Sequence, residues 1–113
     1  MATLAAPELK ASFGSVDLLL TFGKPRVGNA IFAAYIATVA STFRVVHNKD
    51  SVPQLIIFLF NYAHEGTEIW YTLNMGSYTS CVGESPGCQR TVPFFMLNVP
   101  DHSMDIYITL KAA

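Results

Sequence analysis

Thr21-Phe22-Gly23-Lys24-Pro25-Arg26-Val27-Gly28-Asn29 leads into an apolar run, and the chain then reads Phe43-Arg44-Val45-Val46-His47-Asn48-Lys49-Asp50-Ser51-Val52-Pro53. The first segment closes a strand spanning Val16 to Phe22, whose apolar residues are interrupted only at Asp17. Such a run is expected of a strand buried on both faces of a parallel sheet. Gly23 and Pro25 turn the chain, and Asn29 is placed to cap a helix with Ile31, Phe32, Tyr35, Ile36 and Val39 on its buried stripe. Phe43 to His47, rich in β-branched residues, is the next strand. A strand, a helix and a strand with a carboxylate just past the second strand's end is how open α/β sheets present catalytic groups. The expected fold class is α/β.

Outward from this stretch the pattern is less regular. Leu4, Ala5, Leu9 and Ala11 have helical spacing, and Pro7 is expected near the start of that helix or at a kink. Leu55 to Tyr62 is apolar, with aromatics at Phe58 and Phe60, and reads as a short strand or a pocket-lining loop. Thr67 to Leu73 reads as a later, more exposed strand. The Gly, Ser, Pro and Cys content of Asn74 to Val99 reads as loop, and Asp101 to Leu110 as a short helix or turn. Phe58, Phe60, Phe94, Phe95 and Met96 read as core before they read as the lining of a pocket.

The 113 residues make one domain at most. Only 13% are charged, against roughly 25% in a typical soluble domain, as expected for a piece of a larger sheet protein. A net charge of −1 with seven scattered basic residues leaves no footprint for nucleic acid. Val27 to Phe43 is too polar and too short for a membrane span. Met1 to Ala6 lacks the basic leading region of a signal peptide.

Cys81 and Cys88 enclose Val-Gly-Glu-Ser-Pro-Gly, a spacing wider than that of zinc knuckles, and no second pair completes such a site. A local disulfide is favoured over two free thiols. It would contribute about 2.5 kcal/mol on the chain-entropy account and imply an oxidising compartment. A metal site from His47, Asp50 and His64 has the residue types but no supporting spacing, so neither metal nor cofactor is expected.

A nucleophilic hydrolase needs a nucleophile, a histidine to take its proton and a carboxylate to orient that histidine. Asp50 after a strand end and His102 in a later loop follow the acid-then-base order of one such arrangement. On residues alone, Asp50 also fits a turn cap or a partner for Arg44 or Lys49, and His47 fits a hydrogen-bonded strand end. Gly83-Glu84-Ser85-Pro86-Gly87 matches the G-x-S-x-G nucleophile pattern literally. It lies between two cysteines without a preceding apolar strand or a following helix, it comes after Asp50 in the chain, and Pro86 has no N–H to offer an oxyanion. Ser85 is therefore not the expected nucleophile.

Phe22 to Asn29, Arg44 to Pro53, His64-Glu65-Gly66-Thr67-Glu68-Ile69-Trp70-Tyr71 and Asp101-His102 resemble, in order and spacing, the fungal-type class 3 lipases. These are secreted α/β-hydrolases that cleave triacylglycerols and related esters. The resemblance implies that Asp50 is the triad acid, that His102 is the triad base and that His64 is not catalytic. It likens Cys81 to Cys88 to the small disulfide loop of some members. The family commonly has further prolines where this chain has Leu55-Ile56-Ile57. It also carries Gly-His-Ser-Leu-Gly-Gly-Ala ahead of the segment aligned with Met1 to Ala6. Residues 1–113 are thus expected to be the C-terminal, incomplete part of an α/β-hydrolase domain, mostly parallel sheet with flanking helices. The nucleophile elbow would lie upstream, and the chain alone would be inactive. The implied setting is extracellular, with an ester lipid as substrate and contact with a lipid interface. The alternative is a non-catalytic lipase-like module that binds lipid or a protein partner.

Overall fold

A computed structural model describes residues 1–55, 61–74 and 76–107. Of the run Leu55 to Tyr62, residues 56–60, with Phe58 and Phe60, lie outside the described residues, while Tyr62 falls in a two-residue strand. The backbone is a four-stranded sheet with two helices on one face. The strands are β1 (Leu18–Phe22), β3 (Ser41–His47), β5 (Thr67–Tyr71) and β6 (Tyr78–Val82), in the spatial order β1-β3-β5-β6. β1, β3 and β5 are parallel, while β6 runs antiparallel to β5 with Tyr71 opposite Tyr78.

Helix α2 (Ala30–Val39) links β1 to β3, and Asn29 caps it as the sequence implies, its side chain accepting from the Phe32 N–H at 2.9 Å. Asn29 also belongs to β2 (Gly28–Asn29), a two-residue antiparallel partner of β4 (Tyr62–Ala63). The buried stripe of α2 is Ala33, Ile36 and Val39, with Phe32 partly buried beside it. Ile31 and Tyr35 were expected on that stripe but are 79% and 50% exposed. The helix is apolar nearly all round, so hydrophobicity does not mark its packed face; the contact with Ala6 and Leu19 does.

Helix α1 (Ala2–Phe13) packs Thr3 and Ala6 inward and holds Pro7 inside its second turn rather than at its start. A proline there removes one backbone bond and leaves the face made by Thr3 and Ala6 intact. β1 corrects a second expectation. Leu19 and Thr21 face the helices, but Leu18 and Leu20 are 55% and 45% exposed, because β1 is the sheet's edge and no layer covers its other face among the described residues. β6 was expected to be loop. Its Tyr-Thr-Ser-Cys-Val sequence is mostly exposed on the opposite edge and carries no buried alternation to announce a strand.

Candidate active site

The loop that carries Asp50 begins where β3 ends. Asn48 takes φ +39°, a left-handed conformation that asparagine tolerates better than most residues. Its N–H still reaches Tyr71 O on β5 at 2.7 Å, and Asp50 N–H closes the turn on His47 O at 2.9 Å. The loop that carries His102 is then sewn to this turn. Asn98 N–H donates to Lys49 O at 2.8 Å, and Ser51 N–H to Asn98 O at 3.0 Å. Asp101 completes the seam: its Oδ2 accepts from Asn48 Nδ2, the Lys49 N–H and Asn98 Nδ2 at 2.9, 3.1 and 2.9 Å. Hydrogen bonds to a charged acceptor contribute about 1.5–3 kcal/mol each, so Asp101 fixes where the next residue, His102, stands.

His102 Nδ1 lies 2.8 Å from Asp50 Oδ2. Asp50 is fully buried, whereas the His102 side chain is 36% exposed. Tyr107 donates its hydroxyl to the same Oδ2 at 2.6 Å, and the Val52 N–H donates to Oδ1 at 2.9 Å. The Asp50 carboxylate is therefore held by three donors, one of which is the turn cap weighed from sequence. With the carboxylate as acceptor, Nδ1 carries the imidazole proton and Nε2 is left for a reacting group. Tyr107 is 3% exposed and also accepts from the His47 N–H at 3.1 Å. Burial, followed by its bond to Asp50, raises its phenol pKa, so it remains a donor.

Gly23 completes the floor. Its φ is +56°, and a Cβ there would stand 2.8 Å from Asp50 Oδ2 and from both Nδ1 and Cε1 of His102. Only glycine lets the first turn pass this close to the pair. An open groove of about 350 Å³ beside the first turn is lined by Thr3, Leu20, Phe22, Lys24, Val27 and Met104 among others, and neither Asp50 nor His102 lines it.

The remaining polar residues of the motifs build a buried support. Arg26 grips Glu84 with two hydrogen bonds of 2.8 and 2.7 Å and donates to Pro53 O at 3.0 Å. Burial opposes the charge of Glu84, but the hydrogen bonds from Arg26 and the His64 amide outweigh it and lower its pKa. Arg44 does not pair with Asp50. It donates to Glu65 O and Gly83 O and lies 3.4 Å from Glu68. Lys24 sits 2.9 Å from Glu65, and its pKa is lowered because burial outweighs that attraction. His64 donates Nε2–H to Pro53 O at 2.8 Å. Burial, reinforced by Arg44 and Arg26, pushes its pKa down to about 2, so it is a neutral structural residue at physiological pH.

His47 is a strand-end residue beneath Tyr107, its Nδ1 3.7 Å from Asp101. No group of three potential metal ligands gathers among the described residues. Cys81 and Cys88 form a disulfide. Ser85 lies exposed in the turn they enclose, its N–H on Val82 O. Phe94, Phe95 and Met96 are not core, being 70%, 86% and 43% exposed. Sequence reading passed over Tyr107, Gly23 as a close-approach glycine, and Asp101 as the seam. For Asp101, the signal available was its place beside His102.

The class 3 lipase family model matches residues 1–60. The chain belongs to the class 3 lipases. Secreted mono- and diacylglycerol lipase A of Penicillium cyclopium is 39% identical over 72 residues, which are 64% of this chain and 24% of that protein. The triacylglyceride lipase of Rhizomucor miehei superposes with a TM-score of 0.78 at 31% identity, covering 88% of this chain and 40% of the other. A triacylglycerol lipase whose catalytic centre is described as a serine protease triad superposes at 0.75 with 34% identity, again over 88% and 40%. This lipase-family chain thus has part of an α/β-hydrolase fold and spans about a quarter of the length of the curated relative it matches.

Proposed function

We propose that residues 1–113 are a partial lipase domain carrying the acid and base of a serine-hydrolase triad, Asp50 and His102, for the cleavage of acylglycerol esters. The observation that carries the reading is the 2.8 Å bond from His102 Nδ1 to a fully buried Asp50, with the imidazole itself reaching solvent. His102 Nε2 takes the proton of an attacking serine and returns it to the leaving alcohol. Asp50 holds the ring in the Nδ1–H tautomer and stabilises the imidazolium. The relatives named as a mono- and diacylglycerol lipase and a triacylglyceride lipase support a glycerol ester as substrate. The disulfide and the relative named as secreted support an extracellular setting. Exposed Phe94, Phe95 and Val99 suit contact with a lipid surface.

Ser85 is excluded as nucleophile by the proline after it and by its disulfide-bounded turn. The serine of this reading comes from outside these 113 residues, and the chain by itself is inactive. A short-chain nitrophenyl ester assay tests this point. Hydrolysis at the buffer rate is expected, and turnover abolished by His102→Ala would overturn it.

A further inference from the structure

Gln89 follows Cys88 and has no exposed surface. Its side-chain amide donates to the backbone carbonyl of Asp50 at 2.6 Å and accepts from Gln54 Nε2 at 3.3 Å. Its own N–H donates to Glu68 Oε1 on β5 at 3.0 Å. The residue before it is tied to Cys81 on β6. Gln89 is therefore fixed to the two last strands of the sheet, and the only part of the acid it touches is the main chain. An amide buried this deeply costs free energy unless both of its ends are paired, and an apolar side chain would fill the same space without that cost. The carboxylate is held on its reactive side by His102, Tyr107 and Val52. Gln89 holds the same residue by its carbonyl.

We infer that Gln89 is a positioning residue for Asp50, kept in register by the Cys81–Cys88 disulfide, and that removing either hold turns the carboxylate off His102. The inference rests on reading Asp50 and His102 as acid and base. Released from Gln89, the turn keeps its bonds to His47, Asn98 and Asp101, but the Asp50 peptide loses the one that fixes its carbonyl, and a tilt of that peptide lengthens the 2.8 Å bond at its far end.

The test is NMR of the full chain with ¹⁵N-labelled histidine, reading the His102 Nδ1–H resonance and the ring nitrogen shifts that report the tautomer. The native chain should show a far-downfield Nδ1–H proton and one tautomer. Asp50→Asn should abolish that proton. Gln89→Met, which keeps the side-chain volume and removes the donor, should also abolish it and give mixed tautomers. Thr42→Val, which removes a buried hydroxyl donating to Ala40 O at the end of β3 opposite the Asp50 loop, should leave it in place. Where Gln89→Met does not fold, the pair Cys81→Ser and Cys88→Ser carries the same expectation. An intact downfield proton in Gln89→Met, or in the folded serine pair, beside its loss in Asp50→Asn would overturn the positioning role alone. A native chain with no such proton would overturn the reading of Asp50 and His102, and the inference with it.

Discussion

An alanine at position 23 would bring its methyl within 2.8 Å of Asp50 Oδ2 and His102 Nδ1, at a φ of +56° that alanine resists. Strain and overpacking together predict a loss of about 2–4 kcal/mol for Gly23→Ala, read as a lowered urea midpoint. A native midpoint in that variant would mean the turn does not pass as close as described. Tyr107→Phe removes a buried hydroxyl that donates to Asp50 and accepts from the His47 N–H. It leaves that N–H unpaired, so a cost of about 1–3 kcal/mol is expected in the same measurement. Asp50 was legible as a candidate because it follows a strand end, and His102 as a candidate chiefly through the family resemblance. Tyr107 was not. One tyrosine in a short helical stretch has no pattern that points to a carboxylate far away in sequence, and only the folded turn brings them together.

At the scale of elements, the buried polar layer under the acid loop sets how the fold answers acid. His64 is neutral in the folded chain, with a pKa of about 2 against an ordinary 6.5. Below pH 6.5 the unfolded chain binds a proton that the folded chain excludes. The stability that follows from a neutral His64 is thus complete above 6.5 and is lost as pH falls toward 2, by up to about 1.4 kcal/mol per unit. Denaturation between pH 6.5 and about 4.5 should show His64→Gln losing up to about 3 kcal/mol less than the native chain; parallel slopes would contradict the assignment. The β1–α2–β3 unit was readable because a cap, a turn and a β-branched strand agree on it. β6 escaped because an exposed edge strand shows no alternation. The two-sided burial expected of β1 failed because burial depends on what covers a face, which the strand's own residues do not encode.

For the whole molecule, 88% of this chain aligns with 40% of the Rhizomucor miehei lipase chain, and among the described residues β1 stands at the sheet's edge with Leu18 and Leu20 exposed. In this account the chain brings acid, base and their support, and the serine comes from outside these 113 residues. The most direct measurement joins the upstream portion of the Rhizomucor miehei lipase to residues 1–113 and follows hydrolysis of an acylglycerol. The account predicts turnover by the folded chimera that falls about 10⁴-fold in Asp50→Asn and is lost in His102→Ala. Turnover that neither substitution changes would contradict it.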